Sequence, residues 1–207
     1  MPLKPHRVFP AIAAVLALSS TLFAVPANAA DAQSVMDKLN EFGPEAKALV
    51  LRAGTWDVTI TNWEKPGATP TVQTGLVAER RMIGPMLEEV LRTVPGAPGA
   101  PFTRADFLTF NKQEGRWQYM SMDGRVPDGM MVAYSIDPDP EQRIFMSFLP
   151  FASPNIIGDI AIGQFWRMEQ VITRQDADHE VKDQYFTLAG SAPVKWRGIS
   201  YSYTRRK

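Results

Sequence analysis

The chain has no cysteine and two histidines in 207 residues. Without cysteine there are no disulfides, no thiolate metal sites and no cysteine nucleophile, so packing has to supply the stability. One histidine, His6, lies in a leader that is expected to be removed. The other, His179, sits in the polar stretch "DADHEV" between Asp178 and Glu180. A polar hairpin is a poor place to orient a catalytic triad, and the sequence contains no Gly-x-Ser-x-Gly elbow. A single histidine also argues against haem held by axial imidazoles and against a multi-histidine metal site. Excess charge of either sign is missing too, with 22 basic against 22 acidic residues. Scattered, balanced charge gives no electrostatic pull towards nucleic acid or anionic lipid. Beyond the leader, no apolar run approaches the ~20 residues of a membrane span.

The leader itself is well marked. "MPLKPHRVF" carries Lys4 and Arg7, an apolar stretch follows, and "PANAA" closes on small residues. Basic, apolar and small residues in that order make a secretory signal peptide, with Ala27 and Ala29 at the −3 and −1 positions of a cut after Ala29. Cleavage would leave 178 of the 207 residues, a usual size for one domain with a full core. It would also leave 20 basic against 22 acidic residues, a formal charge of −2. No lipid-acceptor cysteine follows the leader, so the mature protein is expected to be soluble and exported, periplasmic in a cell with two membranes.

Residues 30–53 read as a helical segment. Val35, Met36, Leu39 and Phe42 fall near 3.6 spacing, Gly43 interrupts, and Pro44 restarts a second helix that stops at Gly54. From residue 54 to the end, ten runs read as strands, near 54–63, 71–82, 86–93, 104–111, 116–123, 130–137, 143–149, 164–173, 180–188 and 194–204. Several alternate with the period of a half-buried strand. Trp56, Val58 and Ile60 share a face, as do Ile144, Met146 and Phe148, and Trp166, Met168, Gln170 and Ile172. Met130, Val132, Tyr134 and Ile136 are assigned together. Polar joints such as "KQEG" and "RQDADH" suit antiparallel hairpins. Ten such strands must close or split into two sheets, and sequential hairpins favour closure into an up-and-down antiparallel barrel. A barrel of that size begins to leave room for a small ligand. The expected organisation is a signal peptide at 1–29, a helical segment at 30–53 and an all-β barrel at 54–207.

A helix that ends in Gly54-Thr55-Trp56 at the first strand resembles the opening of lipocalin-like (calycin) barrels. The resemblance implies that Trp56 lies across one end of the barrel and that Arg205, in the terminal "YSYTRRK", stacks over it. Across about 44–205 the chain also resembles a bacterial secreted family of unknown function. That family has a leader, a short helix, Gly-x-Trp, ten-odd strands and a terminal Tyr-x-Arg, here Tyr203-Thr204-Arg205. It brings a fold and no known chemistry.

Residues that could meet a ligand are those expected to face inward: Ile60, Met82, Tyr134, Met146, Phe148 and Trp166. Arg80 shares a face with Leu76, Ala78 and Met82, and a guanidinium in an apolar space needs a counter-charge. It is either an anchor for a ligand carboxylate or phosphate, or a member of an internal ion pair, with Gln170 and Asp183 as candidate partners. Methionine is plentiful between 82 and 168. Soft thioethers could hold Cu(I), fill a core or line an adaptable pocket. Glu88 and Glu89 face opposite ways on one strand and so make no acid/base couple; they read as solvated surface. No cofactor and no metal are expected. The leading functional expectation is a non-enzymatic carrier of a small, largely apolar molecule. Two alternatives stand beside it: an envelope interaction module docking through the apolar loop 150–163, with a homo-oligomer or an envelope protein as partner, and a barrel enzyme of isomerase or hydrolase type using Tyr, Asp or Glu.

Overall fold

Helix α2 (Pro44–Val50) starts on a proline, whose missing N–H costs nothing in a first turn, and buries Ala46, Ala48 and Leu49. Four residues after it the chain enters strand β1 (Gly54–Asn62). Gly54 is required at this corner. Its φ is +126°, and a Cβ there would lie 2.7 Å from Nη1 of Arg205. That arginine donates from Nη1 to the Ala53 carbonyl and from Nη2 to the Leu51 carbonyl, both at 2.6 Å. Its guanidinium carbon lies 4.1 Å from the centroid of the Trp56 ring. One side chain from the last strand therefore satisfies carbonyls left open by the helix end and covers the tryptophan of the first.

This computed structural model describes residues 29–97, 101, 103–125, 129–135, 142–152, 164–188 and 194–207. The chain divides into two units, Met1–Asn40 and Glu41–Lys207. The described part of the first is helix α1 (Ala29–Asn40). The signal-peptide reading of residues 1–28 lies outside the described residues. No helix among the described residues is long and apolar enough to cross a membrane.

The second unit is a closed antiparallel barrel of ten strands. After β1 come β2 (Thr71–Ile83), β3 (Met86–Thr93), β4 (Thr103–Asn111), β5 (Arg116–Asp123), β6 (Met130–Tyr134) and β7 (Arg143–Phe148). The two-residue β8 (Phe151–Ala152) precedes β9 (Phe165–Arg174), β10 (His179–Leu188) and β11 (Lys195–Arg205). Each strand pairs with the next, β8 lies only against β9, β7 passes directly to β9, and β11 returns to β1. The ten expected runs all appear, most of them marked by alternation, with β6 the exception. Among the described residues the sheet has no free edge apart from β8, which is how an antiparallel sheet this wide avoids edge-to-edge aggregation.

The register of β6 corrects the sequence reading. Ala133, not Tyr134, points inward: it is fully buried, opposite Tyr119 on β5 and Phe148 on β7. The Tyr119 and Phe148 rings meet edge-on at 5.7 Å. A small residue between them leaves room for that contact, and tyrosine would not. Tyr134 instead lies outside, under the Arg116 guanidinium at 4.2 Å. Ile136, assigned to the same face, lies outside the described residues.

The two ends differ. At the end carrying α2 and the chain terminus, the connections at 84–85, 112–115 and 175–178 have at most four residues and that at 135–142 has eight. At the other, the long-loop end, those at 63–70, 94–102, 124–129, 149–164 (with β8 inside it) and 189–194 have six or more. A register shift between Val58 and Ile60 near this second end brings Gln73 and Thr71 opposite Ile60 and Asn62.

Candidate functional site

Alternation places apolar side chains on the inner faces, and Trp56, Ile60, Leu87, Leu91, Trp117, Met146, Phe148, Trp166, Met168 and Phe186 form one buried cluster. On the same faces, in line with the leucines, stand charges. Arg80 on β2, Glu89 on β3, Arg104 and Asp106 on β4, and Glu180 and Lys182 on β10 are all buried, and so is Arg52 just after α2. Charges in a low-dielectric interior persist only when paired and hydrogen-bonded, and these form one chain of pairs.

The chain runs through the barrel. Glu180 accepts from Arg52 through Oε2 and from Arg80 Nη2 through Oε1, at 2.9 Å for the latter. Arg80 Nε donates to Glu89 Oε2 at 2.7 Å. The other oxygen of Glu89 accepts from Tyr203 OH at 3.0 Å, Lys182 Nζ at 3.2 Å and Arg104 Nη2 at 3.4 Å. Lys182 and Arg104 also hold Asp106 Oδ2, at 2.8 and 2.9 Å, and Ser121 Oγ donates to its Oδ1 at 2.7 Å. Aromatic faces complete the shell. Arg80 lies 4.2 Å from the Tyr203 centroid and 5.0 Å from that of Trp56, and Arg104 lies 4.4 Å from that of Tyr201. Nearer the long-loop end, Asp123 takes Arg125 on both oxygens, at 2.9 and 2.6 Å.

Electrostatics follow from this geometry. Burial opposes ionisation of Glu89, but Lys182, Arg80 and Arg104 outweigh it and hold its carboxyl well below the usual range. Burial, with the Glu89 charge beside it, pushes the Tyr203 hydroxyl up to about 12. Burial and the nearby Arg80 and Arg174 pull Arg52 down to about 9, still charged at neutral pH. A depressed carboxyl stabilises the fold above its unfolded value of ~4.3 and loses that contribution as pH falls further. A raised tyrosine stabilises below ~10 and loses its contribution as pH rises towards its folded value. Melting temperature is therefore expected to change little between about pH 5 and 9 on account of these two groups, and to fall beyond each flank. Thermal melts across pH 3–11 check this, and a steep loss between pH 7 and 5 would contradict it.

Among the described residues, two spaces adjoin the barrel interior. One of about 20 Å³, the size of a single water, lies among Arg52, Arg80, Glu89, Tyr119, Glu180 and Lys182. The larger, about 170 Å³, lies at the long-loop end, lined by Ile60, Asn62, Thr71, Val72, Gln73, Arg125, Ile199 and Tyr201.

Of the residues singled out from sequence, Ile60, Arg80, Met146, Phe148, Trp166 and Gln170 are buried, and Met82 packs against the core as a partly buried neighbour. Only Ile60 among them lines the 170 Å³ space. Arg80 faces inward, but its partners are Glu89 and Glu180 rather than Gln170 or Asp183. Gln170 accepts from Gln184 Nε2 at 2.9 Å, and Asp183 lies 3.7 Å from Arg197. Glu89 corrects the reading of the acidic pair as surface: it is 5% exposed and is the hub of the network, while Glu88 pairs with exposed Arg81. Arg104, Asp106, Glu180 and Lys182 were missed. Their signal was present, since Arg104 and Asp106 share a strand face with Leu108 and Phe110, and Glu180 and Lys182 share one with Gln184 and Phe186. His179 is exposed and 2.9 Å from the Asp176 carboxylate. Among the described residues no three His, Cys, Asp or Glu side chains gather as a metal set.

Comparison with known proteins bears on the fold. No protein-family model matches the chain, and no curated protein sequence does. Among solved structures it is similar to a redesigned β-barrel, at 14% identity and TM-score 0.37 over 77% of this chain and 96% of that one. It is similar to EF1p2_mFAP2b bound to DFHBI at 12% identity and TM-score 0.29, over 78% and 99%. Similarity to Rv2717c from M. tuberculosis reaches a TM-score of 0.50 at 13% identity, covering 81% of this chain and 100% of that one, a likeness of fold.

Proposed function

We propose that the protein is an exported binding protein that takes a small, largely apolar molecule into the long-loop end of its barrel and carries it without chemical change. The observation that carries this is the 170 Å³ space, where Ile60 and Ile199 stand beside Asn62, Gln73 and Tyr201. Ile60, Val72 and Ile199 share the lining with Asn62, Thr71, Gln73, Arg125 and Tyr201, so apolar and convergent polar groups meet there, as they do at ligand sites. Its volume is close to the ~150 Å³ of an engineered cavity that holds benzene, and below the ~300 Å³ where drug-sized sites begin. The guest is accordingly ring-sized. Export rests on the leader sequence, and a mature mass beginning at Ala30 tests it.

Binding to the folded state alone raises stability by ~2.7 kcal/mol at one hundred times Kd, or about 5–10 °C in a domain of this size. A panel of ring-sized compounds should therefore include some that raise the melting temperature by that amount. Ile60→Trp, which fills the space, should abolish the shift. A flat response across the panel would sink the carrier reading.

A second reading, docking to an envelope protein, is favoured by one observation. Val72, Met122, Met130, Leu149, Phe165 and Val194 are exposed and all lie at the long-loop end. Residues 153–163, the greater part of the loop invoked for docking, lie outside the described residues.

A further inference from the structure

We infer that the guest carries a negative charge: the space at the long-loop end takes a compact anion, a carboxylate on a ring-sized body. This rests on the binding reading above and goes further, because the interior is rich in donors and short of acceptors. Glu180 and Glu89 are each held by at least two cations, and Asp106 by two cations and a hydroxyl. Both oxygens of Asp123 are taken by Arg125. By contrast Arg80 Nη1, Arg104 Nε, Gln170 Nε2 and Trp166 Nε1 are buried N–H groups with no partner. A buried donor left unpaired is costly, so the arrangement suits a guest that brings acceptors.

The charge count agrees. In the linked buried network Arg52, Arg80, Arg104 and Lys182 stand against Glu89, Asp106 and Glu180, one positive charge in excess among the described residues, while buried Asp123 is matched by Arg125 at the rim. Position connects it to the space. Arg125 and Tyr201 line it, and the Arg104 guanidinium stacks on that same Tyr201. A monoanion entering there balances the count and meets Arg125 and Tyr201, with the Arg104 guanidinium against the Tyr201 ring; the four unpartnered N–H groups belong to residues outside the lining of the space. One acceptor at the space, Asn62 Oδ1, is also unpartnered, and a half-turn of that amide offers N–H instead.

The test uses matched ring compounds on the folded protein: benzoate, benzamide and benzyl alcohol, read by calorimetry and melting temperature at fixed ionic strength. Benzoate is expected to bind about tenfold tighter than its neutral isosteres, the margin a charge-assisted hydrogen bond supplies. Arg125→Gln, at the rim and half-exposed, should bring the three within about threefold of one another, chiefly by weakening benzoate. Lys182→Met should do the same if it folds; Arg125→Gln decides the matter if it does not. Equal binding of benzoate and benzamide overturns the anion inference and leaves the carrier standing. Preference for benzoate that survives Arg125→Gln, or persists when Ile60→Trp fills the space, overturns its assignment to this site. No binding by any of the three, with a flat response to the wider panel, overturns both.

Discussion

Glu89→Gln should lower the melting temperature by about 10 °C or more. Removing the charge leaves Arg80, Arg104 and Lys182 facing one another in the interior, and breaking a buried pair from one side typically costs ~3–5 kcal/mol. At ~2–4 °C per kcal/mol for a domain of this size, that is a loss visible in any thermal melt. The amide adds a further conflict, since it points N–H groups where Tyr203 OH and Lys182 Nζ already donate. The control is next door on the same strand. Glu88 faces outward to an exposed Arg81, so Glu88→Gln should shift stability by no more than ~0.5 kcal/mol. Circular dichroism melts of the two variants decide the case, and equal melting temperatures would mean that the network does not hold the barrel together.

Trp56→Ala should cost about as much, ~3–5 kcal/mol, for a different reason. The ring is 1% exposed, and its loss opens a cavity at the helix end of the barrel. Two guanidinium groups, Arg205 and Arg80, lose the aromatic face they lie against. The indole N–H also gives up its bond to the Arg52 carbonyl, made at 3.0 Å, which helps to position the first member of the ion-pair chain. Because Trp56 and Arg205 are in contact, their effects should not add. The double variant with Arg205→Ala should be less destabilised than the sum of the singles by ~0.5–2 kcal/mol. Urea denaturation of the four proteins in the cycle measures that coupling, and strict additivity would show that the stack contributes nothing.

Most strands were legible because their pattern is local. Trp56, Val58 and Ile60 alternate with polar neighbours, and a half-buried strand needs nothing more to declare its inner face. Strand β6 failed for the same reason. In "MMVAY" both faces are apolar, so the period carries no information, and pairing with Tyr119 and Phe148 chooses the face. The Gly54–Trp56–Arg205 corner was implied by the resemblance to lipocalin-like barrels, and the structure supplies its physical reason: a Cβ on Gly54 would lie 2.7 Å from Nη1 of Arg205.

Glu89 was different in kind. An acid on a strand reads as solvent-facing, since burying it alone is prohibitive. What reverses the sign is a set of partners from elsewhere: Arg80 nine residues away, Arg104 fifteen, Lys182 ninety-three and Tyr203 one hundred and fourteen. No local window contains them.

Sequence alone determined that this chain forms alternating strands separated by turns, because those properties depend on residues a few positions apart. Tertiary structure decided what fills the barrel. Whether a charge is buried or solvated depends on the Coulomb energy with groups brought within a few ångströms by closure of the sheet, and that distance is unrelated to separation along the chain.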